Sequence, residues 1–115
     1  MEYIRIDVKD KINSPSALTR EQGKIIFDNI VETIDRGVGV ELDFTDIESL
    51  ITPFLNVAIG KLYEKYDSQK LREFLKPINI PSGKVSSFNL VIENAKNYYK
   101  DKAKFDETVK DVIDT

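Results

Sequence analysis

The chain has 115 residues, room for one ordinary domain and too little for two comfortable cores, and its 41% apolar content suits a real core. It contains no Cys and no His, which excludes disulfides, thiolate nucleophiles, zinc held by either residue and the Ser-His-Asp triad. A net charge of −3 argues against a face that clamps a nucleic-acid backbone.

Tyr3-Ile4-Arg5-Ile6-Asp7-Val8 alternates and predicts a half-buried strand with Ile4, Ile6 and Val8 inward. Lys9 to Ala17, with its Ser14-Pro15 step, reads as a connecting loop. Thr19 and Gln22 form a capping box that opens a helix carrying Ile26, Phe27, Ile30, Val31 and Ile34 on one face. Arg36-Gly37 closes it, with a cation in the last turn and a glycine able to take positive φ.

Val38 to Phe44 predicts a strand with Val38, Val40, Leu42 and Phe44 inward and Glu41 and Asp43 on the opposite face. After a turn at Thr45-Asp46, a second helix starts near Thr52 and is apolar around most of its circumference through Tyr66. Ser68-Gln69-Lys70 breaks that pattern. Phe74 to Ile80 predicts a strand at an edge, because Pro77 cannot donate to a ladder. Pro81-Ser82-Gly83 turns the chain into a third helix capped by Ser86 or Ser87, with Phe88, Val91, Ile92 and Ala95 inward.

Residues 101–115 are polar, yet Phe105, Val109, Val112 and Ile113 recur at helical spacing, so this segment is expected to be a short amphipathic helical tail on a 1–100 domain. The alternation of strand and helix implies α/β architecture: helices packed on a small, at least partly parallel sheet, plus a C-terminal helix.

Little in the chain looks like chemistry. Gly37-Val38-Gly39 precedes a strand instead of opening a helix, the wrong order for a phosphate loop. Gly60 sits inside a helix, where it costs about 1 kcal/mol relative to Ala, and so marks close packing or close approach of a partner. Asp43, Asp46 and Glu48 cluster at a strand end, but Asp46 is a good turn residue and no acidic pair follows the first strand. Thr52-Pro53 is a good helix start, the hydroxyl capping the free amides and proline losing nothing at the first helical position. A phosphate on Thr52 would also be welcome at a helix N-terminus. The chain is therefore expected not to be an enzyme, and to hold no cofactor and no metal.

Charge is uneven. Residues 1–60 hold 6 Lys/Arg against 11 Asp/Glu, and residues 61–115 hold 11 against 9. The acidic half would suit a basic partner. No apolar run approaches the ~18 residues of a membrane-spanning helix, and Met1 to Asp10 has no signal-peptide pattern, so a soluble, cytoplasmic protein is expected.

Leu42-Asp43-Phe44, Ile47, Thr52, and Phe54 through Gly60-Lys61-Leu62 resemble the signature of the STAS-like family, small bacterial domains similar to anti-sigma factor antagonists. Arg36-Gly37, the Leu75 to Asn79 strand and Val91 to Ala95 fit the same layout, so the resemblance covers roughly residues 17–100. It implies a STAS-like fold and a regulatory module in partner switching, docking a histidine-kinase-like ATPase. In those antagonists a serine at the strand–helix junction is phosphorylated. Here that serine's place falls on Pro53, and the neighbouring Thr52 carries the hydroxyl.

The docking surface is expected at the turn and first turns of the second helix: Asp46, Glu48, Ser49, Thr52, Phe54, Asn56 and Gly60. Phe54 is its anchor if it points outward, and an inward Phe54 counts against this surface. Two alternatives stand beside it. One is a self-assembling module dimerising through its C-terminal helix, and the other a small-molecule or nucleotide sensor.

Overall fold

The computed structural model describes residues 1–114, with side chains placed through Lys100. The expected Phe105, Val109, Val112 and Ile113 face lies outside the described side chains.

Strand β1 (Tyr3–Asp7) runs into a short helix α1 (Val8–Ile12), followed by β2 (Ser16–Ala17) and the long helix α2 (Arg20–Asp35). Next come β3 (Gly39–Asp43) and β4 (Ser49–Leu50). The second helix is built in pieces: α3 (Thr52–Leu55), a π turn (Asn56–Gly60) and α4 (Leu62–Lys65). Helix α5 (Ser68–Phe74), β5 (Leu75–Ile78) and α6 (Val85–Asp114) complete the chain.

The main sheet has the order β1-β3-β5, and both pairings are parallel, as the alternating pattern requires. A second, two-stranded parallel ladder joins β2 to β4, with Ser16 opposite Ser49 and Ala17 opposite Leu50. Strand β5 is an edge, the position that tolerates Pro77. The core lies between sheet and helices. It holds Ile26, Ile30 and Ile34 from α2, Val40, Leu42 and Phe44 from the central strand, and Phe88 and Val91 from α6. The Phe44 and Phe88 rings meet edge to face with centroids 5.8 Å apart.

Several local expectations change. Lys9 to Ala17 is no simple loop: the Asp7 carboxylate accepts from the Asp10 amide at 3.1 Å and nucleates α1, which buries Val8 and Ile12. Val8 thus reaches the core from a helix, and Ile4, on an edge strand, stays exposed. Ser68 to Lys70 opens α5, because Asp67 caps the Lys70 amide at 2.7 Å; Phe74 consequently ends a helix instead of starting a strand. Helix α6 begins at Val85, ahead of both expected serine caps, and runs without a break through Asp114, so segment 101–114 continues the third helix.

Among the glycines, the closest approach to another element's backbone is at Gly23. A Cβ there would lie 2.7 Å from the Phe54 carbonyl oxygen and 3.0 Å from the Val57 Cβ, so only glycine lets α2 close on the second helix. At Gly60 a Cβ would sit 3.8 Å from the Ala95 and Val91 side chains, an ordinary contact. Gly60 ends the π turn, where the Lys61 amide reaches back to the Asn56 carbonyl at 3.1 Å.

The two glycines should therefore respond oppositely to alanine. Overpacking at Gly23→Ala costs about 1–3 kcal/mol, against a helix-propensity gain of about 1 kcal/mol, so the variant loses stability in urea unfolding. Gly60→Ala should match or exceed the parent.

Candidate protein-docking site

The segment from Phe44 to Asn56 is held on three sides. Ile47 N–H donates to the Phe44 carbonyl at 3.1 Å, closing a turn in which Asp46 takes a left-handed φ of 63°. The Glu48 and Ser49 amides both donate to the Pro15 carbonyl, at 2.7 and 3.3 Å, and the Ile51 amide donates to the Ala17 carbonyl at 3.2 Å. The neighbouring strand is anchored in turn. The Gln22 side-chain oxygen accepts from the Leu18 and Thr19 amides at 2.8 and 3.0 Å, and the Thr19 hydroxyl accepts from the Gln22 amide at 3.1 Å.

On this frame the residues singled out by sequence divide. Asp46, Glu48, Thr52 and Asn56 are exposed, and Ser49 is half-buried in the β2–β4 ladder. Phe54 is the correction: it is 0% exposed, inside the core beside Leu55 and Ala58. Closure at Gly23 draws the Phe54 backbone against α2, and its ring goes inward with it. It anchors the fold and offers nothing to a partner. Gly60 is buried too, at the floor of a groove of about 290 Å³ between the π turn and α6, bordered by Arg20, Asn56, Lys61 and Tyr98.

Thr52 is the second correction. It is the first residue of α3, the N-cap is Ile51, and no side chain caps this end. The Thr52 hydroxyl therefore does not cap, and it lies at the surface.

The apolar part of the site comes from residues that the sequence did not flag. Leu18 and Ile51, which follow the paired Ala17 and Leu50, are 39% and 41% exposed. Both carried a signal. Leu18 stands where a hydrophobic staple begins, but its partner four positions into α2 is Gly23, which has no side chain to staple. Ile51 is an N-cap that cannot accept a hydrogen bond, a poor choice for the helix alone.

Asp43, expected on an outer face, is buried at the end of the central strand. One oxygen accepts from the Thr45 amide and hydroxyl at 2.9 and 2.6 Å and from the Asn79 amide at 3.0 Å; the other lies 3.5 Å from the Arg5 guanidinium. Burial pushes this carboxyl up, but the bonds from Thr45 and Asn79 with the Arg5 charge outweigh it and hold it below its ordinary value. The network ties the middle of β1, the end of β3 and the turn after β5 together, at the start of the Phe44–Asn56 segment. Among the described residues no cluster of acidic side chains could hold a metal ion, and no helix is long and apolar enough to cross a membrane.

A family model for a STAS-like domain of unknown function matches residues 22–83, more than half of the chain. The matched span includes α2 from Gln22 onward, the central strand, the Phe44–Asn56 segment and β5. No curated protein matches the chain, and no solved structure does.

Asp43 sets a pH dependence. A carboxyl with a lowered folded pKa stabilises the fold above its unfolded value of about 3.9, and that contribution disappears as pH falls through the folded value. Asp43→Asn, whose amide would face the Asn79 donor, should lose about 1–3 kcal/mol at pH 7. The gap to the parent should narrow below pH ~3.9. Urea unfolding at both pH values measures it; a gap independent of pH would assign the effect to shape alone.

Proposed function

We propose, from the premise that the chain belongs to the STAS-like family, that it is a regulatory protein–protein interaction module whose working surface is the junction of β4 and α3. The observation that carries this reading is the exposure of Leu18 and Ile51, the residues that follow the paired Ala17 and Leu50, on a hydrogen-bonded segment that also exposes Asp46, Glu48, Thr52 and Asn56. A small apolar centre with a polar rim is the usual anatomy of a transient interface. Leu18 and Ile51 take the anchoring role expected of Phe54.

The partner we favour is a kinase-like ATPase, as for anti-sigma factor antagonists. The exposed Thr52 hydroxyl, beside Pro53, is the acceptor that such a kinase would use. Phosphate there would add about two negative charges next to Glu48 and Asp46 and would turn away a partner seated on Ile51.

A second reading, self-association along α6, draws on the exposed Leu90 and Tyr98, eight residues apart and so near one face. A parent protein that sediments as a dimer, and as a monomer once Leu90→Asp and Tyr98→Asp are introduced, would favour it.

The docking reading is tested by affinity capture with parent, Ile51→Asp and Phe54→Ala proteins, with and without ATP, read by mass spectrometry. A kinase-like ATPase should be retained by the parent and lost by Ile51→Asp at unchanged stability. Phosphate on Thr52 should accompany release in ATP. Phe54→Ala should lose about 3–5 kcal/mol of stability. An ATPase held equally by parent and Ile51→Asp would sink the proposed surface.

A further inference from the structure

The positive excess of the second half of the chain has a definite place. Between the α4–α5 junction and α6 lie two adjoining cavities of about 420 and 310 Å³ that share Tyr63, Ser68 and Lys96. Arg72 and Lys76 stand at one end, Lys96 at the junction and Lys100 at the other end. Among the described residues none of these four cations makes an ion pair, whereas Lys24 and Lys65 elsewhere do. Two of the nearby acids have other partners, and of these Asp67 lines the larger cavity. Asp67 caps the Lys70 amide, and Glu64 is hydrogen-bonded to the Tyr99 phenol.

Spacing and the aromatic side chains choose among anions. The α6 wall runs from Ile92 to Lys100, about 12 Å at a helical rise of ~1.5 Å per residue. One small anion cannot meet cations spread over that length. An extended peptide can, because its side chains recur on one side every ~7 Å. Nucleobases would need open ring faces to stack on. Here the Lys70 and Lys65 ammoniums sit over the Tyr66 ring, 5.3 and 5.9 Å from its centroid, and Tyr98 and Tyr99 pack edge to face at 4.9 Å. Burial pushes the Tyr63 phenol up, and burial with the Glu64 charge does the same for Tyr99, so both stay protonated at neutral pH.

We propose that this groove binds an extended acidic segment of a partner polypeptide, its alternate carboxylates meeting Arg72 and Lys76, Lys96, and Lys100. The groove shares no lining residue with the Leu18–Ile51 patch, and the inference does not rest on that patch being a docking site.

The test is fluorescence anisotropy on the full chain at near-physiological salt. The probes are a labelled hexapeptide alternating glutamate and serine, its glutamine counterpart, and a short oligothymidylate. The glutamate peptide should bind with a sub-millimolar Kd, the glutamine peptide should not, and added salt should weaken binding. Arg72→Glu combined with Lys96→Glu, and Lys100→Glu alone, should each reduce affinity, the pair at least tenfold, with circular dichroism unchanged. Ile51→Asp should bind the peptide as the parent does, which separates this groove from the docking patch. Absence of binding, equal binding of the glutamine peptide, tighter binding of the oligothymidylate, or charge reversals that leave affinity unchanged would each overturn the proposal.

Discussion

The structure depends on the contact at Gly23. With no side chain there, α2 lies directly against the carbonyl of Phe54 and the backbone of Ala58. That approach turns Phe54 inward. At the same position α2 offers Leu18 no side chain to staple against. The inward Phe54 and the unstapled Leu18 thus share one glycine. The π turn completes the arrangement: Val57, Ala58, Ile59 and Gly60 are four consecutive buried residues. A regular helix presents about a third of its circumference to a core, and the wider turn lets this one be covered by α2 on one flank and α6 on the other.

The architecture was largely legible in the sequence, because hydrophobic period and capping chemistry are local. The α2 face, its capping box, the glycine that ends it and the inward residues of α6 all follow from spacing. Pairing depends on other elements and was less visible. Alternation placed Asp43 outside, but Arg5 from the neighbouring strand, Thr45 and Asn79 close over it, so an outward-facing aspartate becomes a buried one with four donors around it.

Of the residues expected on that surface, Asp46, Glu48, Thr52 and Asn56 are exposed, and the expected anchor Phe54 is buried. Nothing local distinguishes an inward Phe54 from an outward one on a helix that is apolar almost all round. The decision lies at Gly23, thirty-one positions away. Gly60 attracted notice as the glycine inside a helix, yet the glycine pressed against another helix's backbone was Gly23, near a helix start, where its low propensity is less conspicuous.

The two candidate surfaces differ in charge. The turn before Ile51 carries Asp46 and Glu48, with Arg20 and Lys61 further on beside Asn56, and the groove against α6 is basic, through Arg72, Lys76, Lys96 and Lys100. A partner with complementary patches would be oriented before contact, because opposed charges fix direction at a distance where packing cannot act. The chain's modest net charge hides this difference.

Pro77 on the edge strand has one more consequence. An edge that carries a proline is a poor template for another strand, so a β5-to-β1 continuation from copy to copy is blocked. On the β5 side, association is then left to side chains on helices and turns, where each surface substitution changes one contact at a time. Such a domain can drift from partner to partner during evolution without passing through forms that polymerise.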